Sequence, residues 1–213
     1  MLTFKQYMKL LLAAFAASLY CFNSTAQTKI GIKGGPTYST AVVTVNGVKQ
    51  SSTYKPGATL GVQFDVPFDG PLHFSPYAAY NMMASSTKYD SSGAQVQTTL
   101  HYLSLAPGVS VHLQAPQENA FVIGFSPVLG ITSFGNRKTT VGGVTTSEKI
   151  KFGFEATGWF DLGLSGSLGY HFKKMFIQAQ YYHGLANINN NAQYDNVNIK
   201  NRMFNLQFGY FFK

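Results

Sequence analysis

Charged residues are scarce in this sequence. Asp, Glu, Lys and Arg make up 11% of its 213 residues, less than half of the share of about 25% that is usual in soluble domains. The formal net charge of +8 would suit a nucleic-acid partner, but the 16 Lys and Arg residues are scattered and no basic run is longer than Lys173-Lys174. Without a clustered basic patch, the sequence predicts no nucleic-acid binding.

Long apolar runs are also missing, and the apolar run near the N-terminus is short. Two lysines precede this run over residues 10–22, and small residues follow at Ser24 and Ala26. The pattern predicts a Sec-type signal peptide over residues 1–26, cleaved after Ala26, and a mature domain over residues 27–213. The run is shorter than the roughly 20 residues of a membrane-spanning helix, which argues against an anchor.

Cysteine occurs once, as Cys21. The bulky Tyr20 before it argues against a lipoprotein signal, in which a small residue precedes the lipidated cysteine. If the signal peptide is removed, the exported protein has no disulfide, no thiol nucleophile and no thiolate metal ligand.

A sustained helical period is absent after Ala26, whereas apolar and polar residues alternate along the whole length. Alternation with a period of two residues is typical of β-strands. Eight segments show it: residues 28–38, 57–68, 72–86, 100–113, 120–134, 159–172, 175–185 and 203–212.

The two faces of these segments differ in a way that indicates a membrane. The apolar faces carry no Lys, Arg, Asp or Glu, and the polar faces consist mainly of Gly, Ser, Thr, Asn and Gln. A water-soluble barrel would show charged outer faces instead. The sequence therefore predicts an all-β fold, an eight-stranded antiparallel up-and-down transmembrane β-barrel that is apolar outside and polar inside.

The connections between the segments support this prediction, because short and long links alternate. Outer-membrane barrels have short periplasmic turns and long extracellular loops. Two long links are predicted hairpins, with Asn46-Gly47 and Gly142-Gly143 at their tips. The short links are residues 69–71, 114–119 and 173–174, and the long ones are residues 39–56, 87–99, 135–158 and 186–200.

The C-terminal stretch NLQFGYFFK ends in aromatic residues without a polar tail. We interpret it as the strand that pairs with the first segment and closes the barrel, with Tyr210, Phe211 and Phe212 at the periplasmic interface. A terminal aromatic strand is also similar to the signal that the barrel-assembly machinery reads.

Several stretches resemble the PorT-like outer-membrane β-barrel family of Gram-negative bacteria. This resemblance implies an eight-stranded barrel in the outer membrane, and it transfers no activity because the matching residues are structural glycines and aromatics. The stretches are Gly31-Ile32-Lys33-Gly34-Gly35, Asp161-Leu162-Gly163-Leu164, Gly169-Tyr170-His171-Phe172, Tyr181-Tyr182-His183-Gly184-Leu185-Ala186-Asn187-Ile188 and Gly209-Tyr210-Phe211-Phe212.

The predicted lumen contains few charged groups. Lys33 and Asp65 lie on the polar faces of adjacent segments, and an unpaired buried charge is costly, so we predict an ion pair between them in the lumen. Asp161, near the outer end of its segment, is expected to be solvated or bonded to a Lys or Arg of a loop.

Three histidines, His73, His112 and His171, are expected to point inward one residue from the periplasmic ends of their segments. Three imidazoles at one level would be able to hold a transition metal. Packing and interfacial histidines are the alternative, since one register slip turns a side chain to the other face. The sequence thus offers these residues as candidates without establishing a metal site.

No arrangement for catalysis or cofactor binding is visible, and we predict that the protein is not an enzyme. Gly124-Phe125-Ser126-Pro127 lacks the second glycine of a nucleophile elbow and no helix is predicted after it. The outer rim offers His101 and His183 with scattered acidic residues, namely Asp90, Glu148, Glu155 and Asp195, but no base and nucleophile in an evident pair.

A structural or interaction role through the extracellular loops is the function that remains. The loops are rich in Ser, Thr, Asn and Gly, with Tyr54, Tyr89 and Tyr194, a composition that suits contacts to a protein or a glycan as well as plain solvated loops. The expected location is the outer membrane, with its lipid as the surroundings of the barrel. Two alternatives stay open: a secreted, lipocalin-like soluble barrel with an apolar ligand inside, and a narrow channel for small solutes.

Overall fold

A computed structural model describes residues 28–89, 92–113, 119–153, 157–191 and 195–212. The predicted signal peptide over residues 1–26 lies outside the described residues, as do Asp90, Glu155 and Tyr194. In the described residues, no helix is long and apolar enough to cross a membrane.

The described chain forms twelve strands, all joined in one antiparallel sheet. They are β1 (Lys29–Val45), β2 (Val48–Lys49), β3 (Ser51–Asp69), β4 (Leu72–Phe74), β5 (Tyr77–Lys88), β6 (Gln95–Ala106), β7 (Val109–His112), β8 (Asn119–Val141), β9 (Val144–Lys149), β10 (Phe160–Phe172), β11 (Met175–Gly184) and β12 (Val197–Phe211).

Eight wall strands make up the ring. β4 and β5 form one of them, and β6 and β7 form another, while β2 and β9 are short hairpin arms paired with β1 and β8. The two composite strands break side by side, where Ser75 N donates to Gly108 O at 2.7 Å. Each wall strand pairs with its neighbours in sequence, and β12 pairs with β1 to close the ring. The predicted eight-stranded up-and-down barrel is therefore confirmed.

The two faces of the wall are sorted as the alternation predicted. Apolar side chains point outward and are exposed, for example Leu60 at 65% and Leu168 at 64%. Polar side chains point into the lumen and are buried, for example Gln207 at 1%. A lipocalin-like barrel needs the opposite arrangement, so that alternative is wrong.

Several wall strands run well beyond the predicted segments, and they do so at the extracellular end. β1 continues to Val45 and turns at Asn46-Gly47, where both φ angles are positive at 49° and 78°. β8 continues to Val141 and turns at Gly142-Gly143, with φ angles of 56° and 84°. Two-residue turns of this kind match the twist of a hairpin. Both predicted hairpins are confirmed.

Candidate functional site

The lumen is filled by side chains. Among the described residues, small cavities of about 20 Å³ each remain toward the extracellular end and toward the periplasmic end. A single water molecule needs roughly 10–15 Å³ on this measure, so each cavity has room for little more than one water. The side chains of Tyr77 and Gln180 line both cavities and separate them.

A central crossbar of Tyr77, Ser165 and Gln180 spans the lumen between these cavities. Gln180 Nε2 donates to Tyr77 Oη at 2.9 Å and to Ser165 Oγ at 3.1 Å. Gln180 Oε1 accepts from Asn205 Nδ2 at 3.2 Å and from Gln207 Nε2 at 3.3 Å. The crossbar therefore uses side chains from β5, β10 and β11, with Asn205 and Gln207 of β12 bonded to it, and it holds opposite walls of the barrel together.

A second polar cluster lies toward the extracellular end and is centred on Asp161. Asn201 Nδ2 donates to Asp161 Oδ2 at 2.8 Å and to Tyr102 Oη at 2.9 Å. The Asp161 side chain is buried, with 1% of its surface exposed. The expectation that Asp161 is solvated or bonded to a Lys or Arg is wrong, because its side chain is buried on the lumen face of β10 and Asn201 supplies the donor.

Lys33 and Asp65 are both buried in the lumen, but the predicted ion pair between them is not present. In the register of β1 and β3, Lys33 lies opposite Gly61, and Asp65 lies opposite Lys29, four residues farther along. At about 3.3 Å per residue the offset is roughly 13 Å. Lys33 Nζ instead lies 3.7 Å from the centre of the Tyr77 ring, with no hydrogen-bond partner.

The three candidate histidines do come together, and Asp65 joins them. We call His73, His112, His171 and Asp65 the histidine cluster. His73 Nδ1 donates to Asp65 Oδ1 at 2.7 Å, and the His73 and His112 rings stack with their centres 3.7 Å apart. His171 meets the edge of His112 at a centre distance of 5.0 Å. All four side chains are buried at the periplasmic end of the lumen.

An aromatic floor formed by Phe176 and Phe211 lies beside the histidine cluster. The two rings have their centres 4.8 Å apart, and each lies within 5.4 Å of the His171 ring centre. Phe211 is 1% exposed, so its predicted place at the membrane interface is wrong. Because strand side chains alternate, Phe211 faces the lumen while Tyr210 and Phe212 face outward.

The extracellular hairpins present an exposed polar surface. Every residue of β9 is exposed. Asn196 Nδ2 donates to Asn46 Oδ1 at 2.7 Å, which links the β1–β2 hairpin to the segment before β12. Tyr54 stacks on Tyr38 on the outer wall, with ring centres 5.5 Å apart, so it belongs to the membrane-facing aromatics.

The period-two alternation of the sequence indicates the inward positions of the three histidines, but it indicates neither the crossbar nor the contact of Asp65 with His73. Tyr77 and Gln180 stood on polar faces in the sequence, yet nothing in it showed that they meet across the lumen. The sequence indicates that Asp65 faces inward. Its position along the barrel axis relative to the histidines depends on the register of four strands, which alternation does not give.

Residues 23–190 match the family described as outer membrane protein beta-barrel domain. The chain belongs to this family. Membership agrees with the outward apolar and inward polar faces, and it supports a location in the outer membrane. No curated protein matches the sequence.

Small outer-membrane barrels are among the similar solved structures. Ail, the attachment invasion locus protein of Yersinia pestis, solved with the heparin analogue sucrose octasulfate, is 14% identical, with a TM-score of 0.46 over 87% of this chain and 99% of its own. Neisserial surface protein A is 11% identical, with a TM-score of 0.42 over 85% and 96%. OprG from Pseudomonas aeruginosa is 13% identical, with a TM-score of 0.42 over 88% and 97%.

Proposed function

We propose that this protein is a closed, non-conducting and non-catalytic barrel that acts as an interaction protein through its extracellular hairpins. The observation that carries the proposal is the central crossbar. The side chains of Gln180, Tyr77 and Ser165, joined by hydrogen bonds, fill the middle of the lumen. Because the described side chains leave no continuous passage through the lumen, the hairpins are the part of the barrel that a partner outside the cell can contact.

The hairpins favour an anionic partner. The four long links, residues 39–56, 87–99, 135–158 and 186–200, contain eight Lys and Arg residues and four Asp and Glu residues. In the β8–β9 hairpin, Lys138 lies opposite Ser147 and Lys149 lies opposite Asn136, so both ammonium groups share one face without an acidic neighbour across the strands. A partly polar, positively charged surface of this kind suits an anionic glycan.

A charge-reversal experiment tests this role. The double variant Lys138→Glu, Lys149→Glu changes two exposed positions of the hairpin. The matched control, Lys173→Glu, Lys174→Glu, makes the same change in net charge at the exposed turn between β10 and β11, on the periplasmic side. The purified proteins are compared on immobilised dextran sulfate, with unsubstituted dextran as the neutral probe.

We expect the hairpin variant to elute at lower salt than the wild type and the control variant to elute with the wild type. Equal shifts for both variants would mean that net charge alone causes retention, and this would overturn the glycan proposal. Conductance steps of the wild-type protein in planar bilayers would overturn the closed barrel and restore the small-solute channel.

Export and assembly complete the proposal. The protein is exported through residues 1–26, is inserted by the barrel-assembly machinery through its terminal strand and resides in a Gram-negative outer membrane, in line with its resemblance to PorT-like barrels. Mass spectrometry of the protein from membranes should give a chain that starts at Gln27. A chain that keeps residues 1–26 would rule out cleavage after Ala26.

A further inference from the structure

The histidine cluster has the geometry of a metal site. One ligand atom each from Asp65, His112 and His171 can be chosen so that all three lie within 4.8 Å of one another. The side chains come from β3, β7 and β10, and each is at least nine-tenths buried. In a tetrahedral zinc site with bonds of about 2.0–2.1 Å, neighbouring ligand atoms lie roughly 3.3 Å apart. The distance from His112 Nε2 to Asp65 Oδ1, 3.6 Å, is close to this value.

Two atoms of the cluster lack the partners that burial demands. His112 Nε2 and Asp65 Oδ2 are both buried and have no hydrogen-bond partner. A buried polar atom without a partner costs about 1–3 kcal/mol, so native proteins rarely retain one without a reason. A cation bound to His112 Nε2 and to the Asp65 carboxylate would give the imidazole nitrogen a partner and would neutralise the buried carboxylate.

His73 contacts two of the candidate ligands, Asp65 and His112, and orients them. Its Nδ1 donates to Asp65 Oδ1, and its ring stacks flat on His112 with an angle of 6° between the planes. Groups that orient a ligating carboxylate or imidazole in this way are typical of protein metal sites, and their removal lowers metal affinity by about 10- to 100-fold. The ammonium group nearest in register is that of Lys29, opposite Asp65, and it makes no ion pair with this carboxylate.

We propose that Asp65, His112 and His171 bind one divalent transition-metal ion at the periplasmic end of the lumen. Two imidazole nitrogens and one carboxylate oxygen form a donor set that suits zinc, and it leaves a fourth position for water. His112 is the last residue of β7 and His171 is the last but one of β10, so both lie near the periplasmic mouth, where an ion can enter. Bound metal would tie three wall strands together in a protein without disulfides.

The test uses untagged mature protein, folded in detergent micelles, treated with a chelator and then dialysed against zinc. We expect elemental analysis to give one zinc per chain. We also expect cobalt, used as a spectroscopic probe, to give the visible absorption of a four-coordinate nitrogen and oxygen site. The double variant His112→Gln, His171→Gln should lose both signals, and His73→Phe, which keeps the ring stacking, should weaken zinc binding by about tenfold or more.

The matched control is the double variant His101→Gln, His183→Gln, which changes the two histidines outside the cluster. It should bind zinc as the wild type does. The mobility of heated and unheated samples in SDS electrophoresis shows that each variant forms a barrel. Folded wild-type protein without stoichiometric zinc would overturn the proposal, and so would folded His112→Gln, His171→Gln protein with wild-type affinity.

Discussion

Tyr77 and Gln180 are 103 positions apart in the sequence, and their side chains form a hydrogen bond of 2.9 Å across the lumen. The contact joins β5 to β11, which are not neighbours in the sheet. Wall strands pair through their backbones wherever they are adjacent, whereas this bond depends on two side chains that reach the barrel axis. Residues on the axis thus decide whether the barrel is open or filled.

Replacing Gln180 by Leu should destabilise the barrel. The substitution removes one hydrogen-bond partner from each of Tyr77, Ser165, Asn205 and Gln207, and each buried group left unsatisfied costs about 1–3 kcal/mol. We expect the free energy of unfolding in urea to fall by about 2 kcal/mol or more. Gln178→Leu is the control, since Gln178 is a half-buried glutamine of the same strand with no side-chain hydrogen bond among the described residues. Equal losses for both variants would show that the crossbar adds no stability.

Lys33→Met should be neutral or stabilising. The ammonium group of Lys33 is buried without a hydrogen-bond partner and contacts the Tyr77 ring, while methionine keeps most of the volume. Replacing a buried charge by an apolar group of similar size is often tolerated or favourable. Lys33→Ala, which leaves a cavity, should lower the free energy of unfolding by about 2 kcal/mol or more. A comparable loss for Lys33→Met would reveal a partner for the ammonium group.

Two glycines of the wall should respond differently to alanine. A Cβ atom at Gly35 would clash with the backbone oxygen of Leu206, whereas a Cβ at Gly166 meets nothing within 4 Å. We expect Gly35→Ala to lower the fraction of folded protein, since β1 and β12 must move apart at the closing seam. Gly166→Ala should fold as the wild type does. The fraction that shifts in mobility when heated before SDS electrophoresis measures both.

Alanine substitutions of the neighbouring residues Phe211 and Phe212 should differ in their effect on stability. Phe211 is 1% exposed and packs on Phe176 and His171, whereas Phe212 is 55% exposed on the outer wall. Loss of a buried phenylalanine side chain costs about 3–5 kcal/mol. Phe211→Ala should therefore lower the free energy of unfolding in micelles far more than Phe212→Ala. The reverse order would place Phe211 at the membrane interface after all.

The sequence predicted the barrel and its faces because alternation repeats over eight strands and one register slip would turn every apolar residue inward. It placed His73, His112 and His171 in the lumen for the same reason. Alternation indicates the side of the wall, whereas the height of a residue depends on how neighbouring strands are offset. For this reason Lys33 and Asp65 were paired wrongly, and the contact between Asp65 and His73 was missed.

β8 contains 23 residues, which gives the barrel a reach beyond the lipid. At about 3.3 Å per residue, and with a tilt of about 40°, such a strand rises by roughly 55–60 Å, while the apolar band of an outer-membrane barrel is about 25 Å tall. The Gly142-Gly143 tip therefore stands on the order of 25 Å or more above the bilayer. A peptide epitope inserted there would be accessible to antibodies on intact cells, and the same peptide at the Gly70 turn would be shielded.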